Sequence, residues 1–145
     1  MNVVLQAQAA ECGLACLAMV AAHHGHRSDL AELRQRFGLS ARGASLVQLA
    51  GIARRLGLSP RPLRLEPEEL SRLPLPCVLH WDLNHFVVLA GWRRGRARVL
   101  DPAFGERRLS PAELGRHFTG VALELLPNRD FRPCPPPPAI GLRQV

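Results

Sequence analysis

Cys12 stands between Glu11 and Gly13, just ahead of an unbroken apolar run from Leu14 to Ala22. If that run is helical, Cys12 lies at the helix start, where unsatisfied N–H groups and the helix dipole favour a thiolate. A thiolate nucleophile needs a base, and the base needs a third group to hold it in one tautomer. His85 opens the run Phe86-Val87-Val88-Leu89, and Asp101 closes Val99-Leu100 just before Pro102. Two antiparallel strands joined by a turn at Arg93 to Arg96 bring His85 and Asp101 to the same end of a sheet, which is the relation a base and its orienting carboxylate require. Asp82 competes for that carboxylate role, and Asp101 also reads as a turn cap before proline. Gln6, six residues before Cys12, carries an amide that can donate to an oxyanion on a carbonyl attacked by the sulfur; Gln8 is its rival. Cys16 and Cys77 have the surroundings of small core residues.

These groups need a scaffold. The first predicted helix runs from Glu11 or Cys12 to about His24 and is apolar all round, so it is central rather than amphipathic. A second runs from an N-cap at Ser28 through Leu30, Leu33 and Phe37 to Gly38. A third starts near Ser45 and carries Leu46, Leu49, Ala50, Ala53 and Leu56 at helical spacing before Gly57. Past Gly57 the pattern shortens to strands at Arg61 to Leu65, Cys77 to Trp81, His85 to Trp92 and Ala97 to Asp101. Ser110-Pro111-Ala112-Glu113 is a capping box opening a short helix to about Phe118, and Val121 to Leu125 is a last strand. Helices first and mainly antiparallel strands after give an α+β fold with a buried N-terminal helix on a sheet. Trp81, Leu83 and Phe86, close to His85 in sequence, fit either a cleft wall or the core.

The chain has 145 residues, one domain's worth, with 47% hydrophobic and 21% charged residues, which excludes a disordered or collagen-like chain. The apolar run is about half the length needed to span a bilayer, and the first residues lack the features of a secretory signal, so the domain is expected to face the cytoplasm. There the thiols of Cys12, Cys16, Cys77 and Cys134 are expected to be free. Cys12 and Cys16 have no second pair at zinc-site spacing, and no metal is expected. All basic residues are Arg and the net charge is +7, but they are scattered and no Tyr is present for base stacking. No nucleic-acid partner is expected. Six of the thirteen prolines lie from Pro127 onward, so 1–127 reads as the folded domain and 128–145 as a Pro-rich linker.

Gln6-Ala7-Gln8-Ala9-Ala10-Glu11-Cys12-Gly13-Leu14-Ala15 resembles the opening motif Q-x4-D/E-C-G-x-A/C of the C39 peptidase domains that process bacteriocins. The segments around Leu79 to Leu89 and Val99 to Pro102 resemble the family's His and Asp segments, most closely in the colicin V secretion-transporter branch. The resemblance covers about Leu5 to Pro127. It implies a papain-like cysteine peptidase with Cys12 as nucleophile, His85 as base, Asp101 as orienter and Gln6 in the oxyanion hole. It further implies removal of leader peptides after a Gly-Gly or Gly-Ala pair from bacteriocin- or microcin-like precursors. The parent would be a homodimeric ABC transporter in the bacterial inner membrane, with this domain cytoplasmic and the linker leading to transmembrane and ATPase parts absent here. ATP and Mg would serve that ATPase part; the domain itself needs no cofactor. A non-catalytic leader-binding module of such a transporter is the alternative.

Overall fold

The computed structural model describes residues 1–6, 11–27, 29–38 and 43–133. Its helices are α1 (Cys12–His23), α2 (Leu30–Phe37), α3 (Leu46–Arg55) and α4 (Pro111–His117). Its strands are β1 (Leu58–Arg64), β2 (Cys77–Trp81), β3 (His85–Arg93), β4 (Arg96–Asp101), β5 (Gly105–Leu109) and β6 (Phe118–Pro127), with a 3₁₀ helix at Pro67–Arg72. The strands form one antiparallel sheet in the order β1-β6-β2-β3-β4-β5.

The predicted central helix is central: every residue from Cys12 to Ala21 is buried. It lies on one face of the sheet with α2 and α3, against Leu58, Val78, Phe86, Val88, Leu100, Leu123 and Leu125. The alternate strand positions Leu79, Val87, Leu89, Val99 and Ala122 turn to the other face and pack with Leu70 of the 3₁₀ helix and Leu114 of α4. A sheet apolar on both faces explains why β2, β3 and β4 read as near-continuous hydrophobic runs rather than as alternation. Gly13 lets α1 approach α3, since a Cβ there would lie 2.6 Å from Cδ2 of the fully buried Leu49.

Caps fix the helix ends. Ser45 and Ser110 each form the reciprocal box with the residue three on, Gln48 and Glu113. For α2 the cap is Asp29, whose carboxylate accepts from the Glu32 N–H at 2.7 Å, and not Ser28, which lies outside the described residues. Asp29 is one residue closer to the helix and its charge meets the positive dipole end directly. The predicted turn between β3 and β4 is the two-residue loop Arg94-Gly95, both at positive φ as tight hairpins require. Around it Arg93, Arg94, Arg96, Arg98 and Arg108, separated in sequence, line one concavity of about 620 Å³ at the end of β3 away from His85.

Several features differ from expectation: β1 begins at Leu58 rather than Arg61, and the 3₁₀ helix at Pro67–Arg72 and strand β5 were not expected. β5 reads Gly-Glu-Arg-Arg-Leu and has no apolar alternation, because it is an edge strand with only Leu109 buried. The first residues assigned to the linker lie against the domain. The Asn128 N–H donates to the Gly57 carbonyl at 2.9 Å, and Phe131 packs on the core over Gly57, leaving no room for a Cβ there. Residues from Cys134 onward lie outside the described set.

Candidate active site

Three elements deliver the predicted groups. Cys12 is the first residue of α1 and 8% exposed, at the head of a stretch that is buried through Ala21. His85 is the first residue of β3 and Asp101 the last of β4. With Val88 opposite Leu100, the β3–β4 register sets those two ends side by side. His85 Nε2 is 2.7 Å from Asp101 Oδ1, and the Cys12 thiol is a second hydrogen-bond partner of the imidazole. The side chains of Cys12, His85 and Asp101 therefore meet around the imidazole.

The electrostatics follow from that contact. The bond to Asp101 and then the bond to Cys12 outweigh burial and raise the His85 pKa to about 9. Burial alone would push the Asp101 carboxyl up, but its bonds to His85 and to the Ala103 N–H at 2.8 Å, with the charges of His85 and Arg107, hold it below the usual carboxylate range. Asp101 thus contacts the imidazole of His85 and caps the turn at Pro102 at once.

The rivals sort themselves by geometry. Asp82 turns away to His117, accepting from Nδ1 at 2.8 Å while its own N–H donates to the His117 carbonyl at 2.9 Å. Gln6 is tied beside Asp101 through its N–H to the Pro102 carbonyl at 2.9 Å and lines the same cavity as His85 and Asp101; Gln8 lies outside the described residues. Cys16 and Cys77 are fully buried, and burial pushes the first well above a normal thiol and the second to about 12. They are core residues. Among the described residues no group of three or more His, Cys, Asp or Glu is placed to hold a metal ion, and no helix is long and apolar enough to cross a membrane.

Further residues frame the site, among them Trp81, Leu83 and Phe86, which the sequence left open between cleft wall and core. Glu11 is 4% exposed and ion-paired to Arg34 of α2, which pins the residue before the nucleophile. Trp81 is core, stacked on His117 with ring centroids 5.0 Å apart. Phe86 is also buried on the core but borders a groove of about 630 Å³ with Leu46, Leu83, Asn84 and Val121. Leu83, 84% exposed, stands at positive φ with Asp82, in a turn held by the Asp82–His117 bonds. On the far side of Asn84 a second cavity of about 360 Å³ holds Gln6, His85, Phe104 and Arg107. Leu-Asn at a strand-to-strand turn was the available signal for the first of these; Phe104 and Arg107 carried none.

The chain is similar to known proteins over nearly its whole length. The colicin V secretion/processing ATP-binding protein CvaB of Escherichia coli is 52% identical over 130 residues, 90% of this chain and 19% of that protein. The chain spans about a fifth of the length of the curated relatives it matches. A crystal structure of a double glycine motif protease from an AMS/PCAT transporter, in complex with the leader peptide, superimposes with a TM-score of 0.81 at 38% identity, covering 87% of this chain and 91% of that one. The peptidase domain of Streptococcus ComA, a bi-functional ABC transporter involved in a quorum sensing pathway, gives 0.80 at 26% identity over 88% and 98%. The model of the Peptidase C39 family matches residues 1–130, and the chain belongs to that family as a cysteine peptidase domain of papain-like fold.

Proposed function

We propose that the domain is an endopeptidase that removes double-glycine-type leader peptides from bacteriocin- or microcin-like precursors, with Cys12 as nucleophile, His85 as base and acid, Asp101 as its orienter and Gln6 in the oxyanion hole. The observation that carries this reading is the imidazole of His85 bonded to Asp101 on one side and to Cys12 on the other. The Cys12 sulfur, its proton held by His85, attacks the carbonyl carbon of the scissile bond. The oxyanion is met by the Gln6 amide and by N–H groups at the start of α1. His85 then gives its proton to the departing amine, and the C–N bond breaks to leave a thioester on Cys12. Water, deprotonated by the now neutral His85, hydrolyses the thioester and frees the leader. No cofactor takes part.

Small residues before the scissile bond suit a cysteine that is only 8% exposed, because only a chain without bulky side chains comes close enough to be attacked. The groove of Leu46, Leu83, Phe86 and Val121 carries no Asp, Glu or Arg in its lining and takes the apolar face of the leader helix. The leader complex of the double glycine motif protease supports this occupant. The parent protein in this reading is a homodimeric ABC transporter of the bacterial inner membrane, with this domain on the cytoplasmic side and ATP and Mg bound by its ATPase part; the names of the curated relatives, secretion/processing ATP-binding proteins, support the ATP-binding transporter. Incubation with a synthetic leader ending in Gly-Gly and extended past it tests the reading. Cleavage after the pair, lost in Cys12→Ala, is expected. Equal cleavage by Cys12→Ala overturns it, and leader binding without turnover or alkylation of Cys12 points instead to a non-catalytic leader-binding module.

A further inference from the structure

The peptidase reading assigns a place to the leader and none to the residues that follow the cut. Proton transfer supplies the missing constraint. His85 must reach the nitrogen of the leaving amine, so the segment beginning at that nitrogen leaves along the imidazole. Two cavities flank the β2–β3 turn and share Asn84 as their common wall. One is the apolar groove, which borders Phe86 and not His85. The other contains His85, Asp101 and Gln6 themselves. A substrate that lies in the first and passes Asn84 enters the second, where His85 stands.

Resting on the peptidase reading above, we propose that the cavity bounded by Gln6, Asn84, His85, Phe104 and Arg107 is the binding site for the first residues of the released peptide, and that it selects an apolar residue directly after the cut with an acidic residue shortly behind it. Phe104, on the turn between β4 and β5, leaves its ring 79% exposed at the edge of this cavity, an arrangement that costs apolar hydration unless something covers it. Leu83, next to the catalytic histidine's turn on the other side, is the matching exposed side chain of the leader groove. Charge supplies the second preference. Two carboxylates line this cavity: Asp101 is paired with His85 and Asp82 accepts from His117 Nδ1, whereas Arg107, its one lining cation besides His85, makes no ion pair within 4.0 Å among the described residues. A carboxylate on the departing segment is its fitting partner.

The test is a set of peptides identical through the leader and Gly-Gly, carrying Leu or Ser directly after the cut and Asp or Lys at the two positions beyond. For the wild-type domain kcat/KM is expected to be at least fivefold higher for Leu-Asp peptides than for Ser-Lys peptides. Phe104→Ala removes the Leu over Ser preference, and Arg107→Glu reverses the Asp over Lys preference. A reversal is not produced by mere loss of Asp101 positioning, which would slow every peptide alike. Phe104 is too exposed for its truncation to unfold the domain. Cleavage of all four peptides within twofold by the wild type overturns the site and leaves the peptidase reading intact. No cleavage of any peptide, with wild type and Cys12→Ala indistinguishable, overturns both.

Discussion

The Nε2 of His85 and the Oδ1 of Asp101 are 2.7 Å apart although sixteen residues separate them, because one opens a strand and the other ends the next. That single bond is the first cause of a His85 pKa near 9 and leaves Nδ1 as the ring nitrogen for the Cys12 sulfur.

The pH dependence follows from it. A raised imidazole pKa means the proton is held through neutral pH and released as pH rises through about 9. The stability gained from the pair is complete below the ordinary value of 6.5 and is lost between 6.5 and about 9. The kcat profile for leader cleavage is therefore expected to fall on an alkaline limb near 9. Asp101→Asn moves that limb toward 6.5 and lowers kcat at pH 7.5 by ~10²- to 10⁴-fold. An alkaline limb that stays in place in the variant contradicts the assignment.

Gln6 contributes to transition-state charge rather than to substrate affinity in this mechanism. Gln6→Ala is expected to reduce kcat by ~10²- to 10³-fold with KM nearly unchanged. Steady-state kinetics on a single leader substrate separate the two constants. A rise in KM alone assigns Gln6 to binding instead.

Gly13 is where α1 meets α3. Gly13→Ala drives a methyl into the enclosed side chain of Leu49 and is expected to destabilise the domain by about 1–3 kcal/mol, measured by urea or thermal unfolding. The wild-type midpoint in this variant argues that α3 moves away freely.

Leu83 tests the leader groove. Its backbone has φ 73 and its side chain is exposed, so Leu83→Gly relieves the conformation and removes apolar groove surface. Strain relief and the extra chain entropy of glycine oppose each other, and stability is expected to change by less than about 1 kcal/mol. KM for a leader peptide rises severalfold while kcat holds. An unchanged KM removes Leu83 from the leader's path.

The meeting of Cys12, His85 and Asp101 was readable from sequence because each sits at an element end, and ends are marked by chemistry: the start of an all-apolar helix, the first residue of a strand, a carboxylate before proline. α1, α3 and β2 were readable for the same reason. β5 was not, since an edge strand with one buried residue has no periodicity to detect. The cavities beside His85 were not either. Phe104 and Arg107 reach the site only through the β4–β5 hairpin, and the arginines around the β3–β4 turn looked scattered until the strands folded them together. Sequence proximity also misled for Asp82, three residues from His85 yet held by α4 through His117.

Seating Cys12 at the head of a helix buried from Cys12 to Ala21 has a consequence for control. Sliding α1 would dismantle the hydrophobic interior, so the seat of the sulfur is not a point of adjustment. In the proposed reaction a throttle falls instead to whatever admits or refuses cargo at the mouth.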